Sequence, residues 1–403
     1  MKKIIRICFL ISLGLLNACQ NSTETNITKS DSMKTIRIAT FNVSMEATNY
    51  RTNDDDTPPL NTALTSALAS GNNPQIANIA EIIQRTRPEI ILLNEFDFIK
   101  DPKQGIEKFI NQYLQISQNG QATINYPYVY IAPVNTGVKT PIQDEDSRLT
   151  HYGFGHYPGQ YGMALLSQYP IEQNNIRTFQ NFLWKDMPNH LMPVEENGDS
   201  WYSEQEKNIM RLSSKSHWDV PINICGQSLH LLASHPTPPV FDGTEDRNGR
   251  RNHDEIRFWR DYIEGSTQSY HYDDKNQQGG IKTNQPFIIL GDLNANNLEG
   301  DAHPNAISQL LEHKRINNYP APKSAGGLEN KPESKHASTH TAAWGMRADY
   351  VLPSSQLAVK NSGVFWPTNN EEIARLVENR EASSDHRLVW IDIEIDTKGE
   401  SKE

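Results

Sequence analysis

The stretch FIILGDLNANN, residues 287–297, sets the problem this chain poses: four apolar residues in a row, then a stop on Gly291-Asp292, with Asn294 two residues further on. The same shape recurs along the chain. TIRIATFNV (35–43) alternates with period two, is rich in β-branched residues and ends near Asn42. EIILLNEFD (89–97) stops at Glu95, and QSLHLLASHPTPP (227–239) stops at His235. GMALLSQYPI (162–171), MRADYVLPS (346–354) and SSDHRLVWIDIEI (383–395) are further short apolar runs, the last two preceded by Asp349 and by Asp385-His386. Short apolar or alternating runs bounded by polar residues read as β-strands. Between them, NPQIANIAEIIQRTRP (73–88) carries Ile76, Ile79, Ile82 and Ile83 at helical spacing and halts before Pro88, and NHDEIRFWRDYIEG (252–265) reads as a helix with Asp and Glu in its first turn. The alternation predicts one continuous α/β domain over 35–397, without internal repeats.

Strands that are apolar along their length and polar at one end place those polar residues at a sheet edge, where loops gather and sites form. Gly291 permits a tight exit before Asp292, and Asn294 points the same way as Asp292 if the chain stays extended. Taken alone, Asp292 and Asn294 fit a shared ligand or a β-turn equally well. Taken together, Asn42, Glu95, His235, Asp292, Asn294, Asp349, Asp385 and His386 bring carboxylates, amides and imidazoles from different strands. That mixture suits a hard divalent cation with a general acid and base.

The ordered set TFNV, LLNEFD, YGMALLS, ASHP, GDLNA, RADYVLPS and SSDHRLVW resembles the endonuclease/exonuclease/phosphatase superfamily, which includes deoxyribonuclease I, apurinic endonucleases, sphingomyelinases and inositol polyphosphate phosphatases. The resemblance runs from about residue 35 to 397. It implies a four-layer α/β sandwich, two mixed β-sheets packed face to face with helices outside. It also implies a Mg²⁺ or Mn²⁺ cofactor held by Glu95, with Asn42 beside it and Asp385 close by or bridged through water. In the same resemblance Asp292 positions or deprotonates the attacking water and Asn294 fixes it. His386 donates to a phosphate oxygen with Asp349 holding its tautomer, and His235 is a further phosphate-facing residue. The implied state is a monomer.

Composition enters at the question of substrate. A formal charge of −11 over 403 residues gives a nucleic acid no generally basic surface to bind, so a nuclease is the alternative to a phosphodiesterase or phosphatase acting on a smaller ester. Arg247, Arg250 and Arg251 follow closely on His235; Arg250 and Arg251 are candidate phosphate contacts, or else they answer nearby carboxylates in a solvated loop. HYGFGHYPGQYGM (151–163) fits an aromatic substrate loop or a glycine-hinged turn, and NDDDTPP (53–59) lacks calcium-loop spacing and reads as a solvated insertion. A catalytically silent envelope binding protein is the reading of another class, opposed by the completeness of the site residues.

The N-terminus reads as export machinery. Residues 1–19 have a basic start, an apolar stretch too short for a span, and Leu16-Asn17-Ala18-Cys19, which resembles the bacterial lipoprotein box with lipid on Cys19. A plain signal peptide cut nearby is the alternative. Residues 20–34 read as a flexible tether and 398–403 as a polar tail. Beyond Cys8 and Cys19 the chain has only Cys225, so no disulfide can staple the domain. The expected location is the cell envelope, through a lipid anchor, with no later segment long and apolar enough to span a membrane.

Overall fold

The computed structural model describes residues 33–50, 62–142, 144–265 and 269–397. The signal segment with Cys19, the tether through residue 32, the acidic stretch 53–59 and the tail 398–403 lie outside the described residues.

Two mixed sheets form the body. The first has six strands in the order β10-β11-β1-β2-β4-β3: β1 Met33–Met45, β2 Ile90–Phe96, β3 Tyr128–Tyr130, β4 Met163–Ser167, β10 Val359–Val364 and β11 Val389–Asp396. The second has five in chain order: β5 Arg177–Thr178, β6 His217–Ile224, β7 Gln227–Ser234, β8 Phe287–Asp292 and β9 Asp349–Pro353. At each centre one pair is parallel and one antiparallel. In the first sheet β1 runs with β2 and against β11; in the second β8 runs with β7 and against β9. The sheets meet face to face through β1 and β2 on one side and β8 and β9 on the other.

This stacking explains why 287–290 is apolar without alternation. Ile288 and Leu290 point into the core shared with Ile38, Leu92 and Leu231. Phe287 and Ile289 point the other way, into a second core with Ile256, Trp259 and Ile263. A strand buried on both faces needs apolar residues at every position, and each such side chain contributes roughly 1.5–3 kcal/mol by leaving water.

Helices cover the outer faces. α1 (Thr62–Ser70) and α2 (Pro74–Thr86) lie on the first sheet, with Ile76, Ile79 and Ile83 of α2 in its core. Asn73 caps α2, its side chain accepting from Ile76 N, with Pro74 at the first helical position. α3 (Arg247–Ile263) covers the second sheet. It begins five residues before the expected 252. Asp254 and Glu255 therefore sit in its second and third turns and do not meet the helix dipole at its N-terminus. They serve as buried acceptors instead: Asp254 Oδ2 takes bonds from Trp184 Nε1 at 2.7 Å and Leu191 N at 2.6 Å. β6 and β7 join through the two-residue turn Cys225-Gly226, with φ of 51° and 79°, the left-handed pair that a tight hairpin demands.

Candidate active site

The register of the second sheet creates an electrostatic conflict. Asp292, the last residue of β8, pairs across the ladder with Asp349, the first of β9, and both are buried. Like charges directly opposite in an antiparallel pair repel. His386, delivered by the turn before β11, lies between them: Nδ1 is 2.9 Å from Asp349 Oδ2 and Nε2 is 3.5 Å from Asp292 Oδ2. Burial disfavours charge on this imidazole, but Asp349 and then Asp292 outweigh it and lift its pKa to about 10. In turn, burial pushes the Asp349 carboxyl up to about 6, against the pull of His386, while Thr341 Oγ1 donates to its Oδ2 at 2.7 Å. For Asp292 burial is outweighed, and His386, His235 and Asn42 hold it well below the usual carboxylate range. The ladder thus carries a fixed imidazolium between two carboxylates.

Gly291 is the joint that brings Asp292 to this place. Its φ is 145°, and a Cβ there would meet Ser234 O at 2.0 Å, so β8 can lie this close to the end of β7 only with glycine. Asn42 reaches across from the first sheet, its Nδ2 donating to Asp292 Oδ2 at 3.1 Å while its Oδ1 accepts from Ser44 N. Asn42 is thus engaged with Asp292 and its own turn, whereas the sequence suggests a place beside Glu95 at a metal. His235 Nε2 lies 3.4 Å from Asp292 Oδ2, and its Nδ1 is buried without a hydrogen-bond partner. Burial, then the charge of Lys215, keeps its pKa low, so it stays neutral. Asn294 lies beside them, its backbone N–H donating to Asp292 Oδ1 at 3.0 Å and its Nδ2 to Pro236 O at 3.2 Å. The first of these is the turn-like bond expected of an Asp at a bend; the convergence of three other residues, Asn42, His235 and His386, on the same carboxylate is what a turn alone would not require.

A second group forms at the end of β2. Glu95 has φ 57°, a left-handed conformation uncommon for a non-glycine residue, and its half-buried carboxylate forms no hydrogen bond or ion pair among the described residues. Asp385 is partly exposed, accepts from Ser44 Oγ at 3.3 Å and faces Arg380 Nε at 3.9 Å. Glu46, which sequence reading passed over, is buried here with Arg380 at 3.2 Å; burial and then the charge of Glu95 push its pKa up to about 8. Asp97 is lifted to about 7 by burial, against hydrogen bonds from Tyr157 Oη at 2.5 Å and from Ala47 N and Tyr161 N. Those bonds give the 151–163 segment its role: it braces the loop beside Glu95 through Tyr157 and the Tyr161 backbone. Phe154 of the same segment is exposed.

The arginines lie elsewhere. Arg251 is buried on α3, its guanidinium donating to Leu212 O, Tyr152 O and Arg211 O, which leaves it no reach to a phosphate. Arg250 Nε turns back to Glu245 O, and Arg247 pairs with Glu245. Arg347 stacks on Tyr350. Residues outside the expected set support the centre instead. Asn94 Oδ1 accepts from Asp292 N at 3.2 Å and links the sheets, Thr341 holds Asp349, and Trp344 packs edge-on to His386 at 4.9 Å. Only Asn94 had a sequence signal, as the residue before Glu95 in an apolar run.

A family model described as Endonuclease/Exonuclease/phosphatase family matches residues 39–386. The chain belongs to the endonuclease/exonuclease/phosphatase family. Among solved structures it is similar to an endonuclease/exonuclease/phosphatase from Beutenbergia cavernae (15% identity, 90% of this chain and 72% of that one, TM-score 0.48). It is also similar to sphingomyelinase C from Streptomyces griseocarneus (12%, 89% and 99%, 0.44) and the human Nocturnin catalytic domain (14%, 89% and 94%, 0.43). No curated protein sequence matches the chain.

Endonuclease/exonuclease/phosphatase enzymes are generally hydrolases of phosphoester bonds that depend on a divalent metal, and the residues here fit one. Glu95 offers a carboxylate unpartnered among the described residues, with Glu46 and Asp385 near it across Arg380. All the donors are oxygens, as Mg²⁺ and Mn²⁺ prefer. Ligand atoms of Asp292, Asp349 and His386 also lie within 4.8 Å of one another. That trio is a poorer cation site, because the His386 imidazolium already answers both carboxylates.

Proposed function

We propose that this member of the endonuclease/exonuclease/phosphatase family is a Mg²⁺- or Mn²⁺-dependent phosphoesterase of the bacterial cell envelope that cleaves a phosphodiester or phosphomonoester. The observation that carries the reading is the buried His386 ring fixed between Asp349 Oδ2 at 2.9 Å and Asp292 Oδ2 at 3.5 Å, because an imidazole donor held between two carboxylates serves phosphoryl chemistry and has no packing purpose. A divalent cation held by Glu95, with Glu46 and Asp385, would neutralise charge on the phosphoryl group.

The chain's own residues divide the remaining work. His386 donates from Nε2 to a non-bridging phosphate oxygen, with Asp349 fixing the proton on Nδ1. Donors preset where charge grows act on the barrier more than on substrate binding. Asp292 is held so strongly ionised that it orients the attacking water as an acceptor and is a poor store for its proton. Asn42 and Asn294 keep that carboxylate in place. His235, neutral and buried, faces the same carboxylate and can accept the proton that the attacking water sheds, the leaving oxygen being protonated from solvent. The chain's acidity and the engagement of Arg251 and Arg247 within the fold favour a small ester over a nucleic acid.

Envelope placement rests on the Cys19 lipidation pattern and the tether. No helix among the described residues is long and apolar enough to cross a membrane. The test is hydrolysis of bis-p-nitrophenyl phosphate, p-nitrophenyl phosphate, inositol phosphates, sphingomyelin and plasmid DNA with Mg²⁺, Mn²⁺ or EDTA, beside Asp292→Ala and His386→Ala. The expected result is metal-dependent turnover of a small ester, reduced about 10²–10⁴-fold by each substitution. Turnover that survives EDTA, or that either substitution leaves intact, would sink the proposal. Metal binding without any turnover would favour the binding-protein reading.

A further inference from the structure

Lys215 stands two residues before β6 and is only 5% exposed. Among the described residues its ammonium forms no ion pair, and its single hydrogen bond is a long one, Nζ donating to Pro236 O at 3.4 Å. That carbonyl also accepts from Asn294 Nδ2 at 3.2 Å. Two donors that share one acceptor are neighbours, so the ammonium sits at the flank of Asn294, on the side where His235 meets Asp292.

The carboxylates within electrostatic reach are Glu255, Glu95 and Asp292. Both oxygens of Glu255 are already in use: Oε1 accepts from Ser214 N at 2.7 Å and Ser214 Oγ at 3.1 Å, and Oε2 from Thr237 N at 2.6 Å. Asp292 is surrounded by Asn42, His235, His386 and the N–H of Asn294. An ammonium has three N–H donors to satisfy, and a buried charge without partners is strongly disfavoured. Among the described residues the fold gives this ammonium one long bond and no carboxylate partner, and burial lowers its pKa, so an incoming anion is what would favour its charged form.

We infer that Lys215 is a phosphate-binding residue, its ammonium taking a non-bridging oxygen of the substrate's phosphoryl group from the Asn294 side while His386 donates from the Asp292–Asp349 side. The inference rests on the phosphoesterase reading and adds to it a cation that sequence gives no reason to choose. It also supplies the positive charge that the engaged arginines of α3 do not.

The experiment is calorimetric titration of inorganic phosphate into the whole protein, with Mg²⁺ and again with EDTA, for wild type, Lys215→Met and Lys215→Gln, with the Tm of each phosphate-free protein. Removing a charge-assisted bond should weaken phosphate binding about 10-fold or more in both variants. Their Tm should equal or exceed that of wild type, because an unpaired buried charge has gone. A lysine that merely braced the Pro236 carbonyl would give the reverse: lower Tm and unchanged phosphate affinity, which overturns the assignment. Wild-type turnover of the ester panel separates the two readings. If wild type hydrolyses an ester while the variants bind phosphate as it does, Lys215 alone is misassigned. If wild type neither hydrolyses nor binds phosphate, both readings fall.

Discussion

Asp349 does its work without reaching solvent or substrate: it is fully buried, and its Oδ2 takes both the imidazole of His386 and the hydroxyl of Thr341. Asp349→Asn keeps the shape but presents an amide to Nδ1, so the ring loses both its preferred tautomer and the charge that held its proton. The expected outcome is a fall in kcat of about 10²–10⁴-fold with KM changed far less, since the lost interaction belongs to the transition state. Steady-state kinetics on the best ester decides it, and a rise confined to KM would mean that His386 only binds substrate. At this scale the sequence was legible where a residue type was unusual for its place. Asp292, Asp349 and His386 stand at the ends of buried strands and are brought together, with Asp385 in the neighbouring group facing Arg380. Lys215, Glu46 and Thr341 sit in polar stretches where such residues attract no notice, and only tertiary approach gives them a part. Arg251 shows the converse case. Nearness to His235 along the chain suggested a phosphate contact, but the helix starts earlier than its apolar pattern does and turns Arg251 into the fold.

Elements make that difference measurable. Arg251 ties α3 to the backbone at Leu212, Tyr152 and Arg211, so Arg251→Gln strands three buried carbonyls and should cost about 3 kcal/mol of stability, read as a shift in urea midpoint. The KM of the folded fraction should stay as in wild type; a raised KM with normal stability would restore the phosphate role. β8 gives a second test at this scale, because its two faces enter two different cores. Ile288→Ala and Ile289→Ala should each destabilise by about 2–5 kcal/mol. A sheet with one solvated face would show that cost at only one of the two positions, and such an asymmetry in denaturant unfolding would contradict the four-layer arrangement. The strands were legible from their apolar runs, and α2 from its isoleucine spacing and proline. The sheet order was not, since pairing partners such as β1 with β11 lie more than 340 residues apart in sequence and no local pattern records them.

At the scale of the whole molecule, β1 runs the length of the sandwich, pairing at Met33 with Asp396 and reaching Asn42 at the catalytic end. Nine residues of strand span about 30 Å, so residue 33 stands at the end opposite the site. Among the described residues five histidines are buried: His217, His235, His271, His340 and His386. His271 is the clearest case: its Nε2–H donates to Phe258 O at 3.0 Å, Ser269 Oγ donates to Nδ1, and Tyr270 and Phe258 enclose the ring. Both ring nitrogens are satisfied by the neutral tautomer, and burial lowers its pKa to about 3. The unfolded chain takes up this proton near pH 6.5. Its contribution to stability is therefore complete above that pH and is lost as pH falls toward the folded value, because protons favour the state that binds them more readily. At pH 5 the loss from His271 alone is about 2 kcal/mol. His217 and His235, also buried with lowered pKa, act in the same direction. His271→Gln, which can still donate to Phe258 O and accept from Ser269, removes this proton uptake without removing the bonds. Urea unfolding of both proteins at pH 7 and pH 5 should show a smaller acid loss for the variant. Equal losses would mean that His271 is already charged in the folded protein and that the aromatic layer under α3 is open to water.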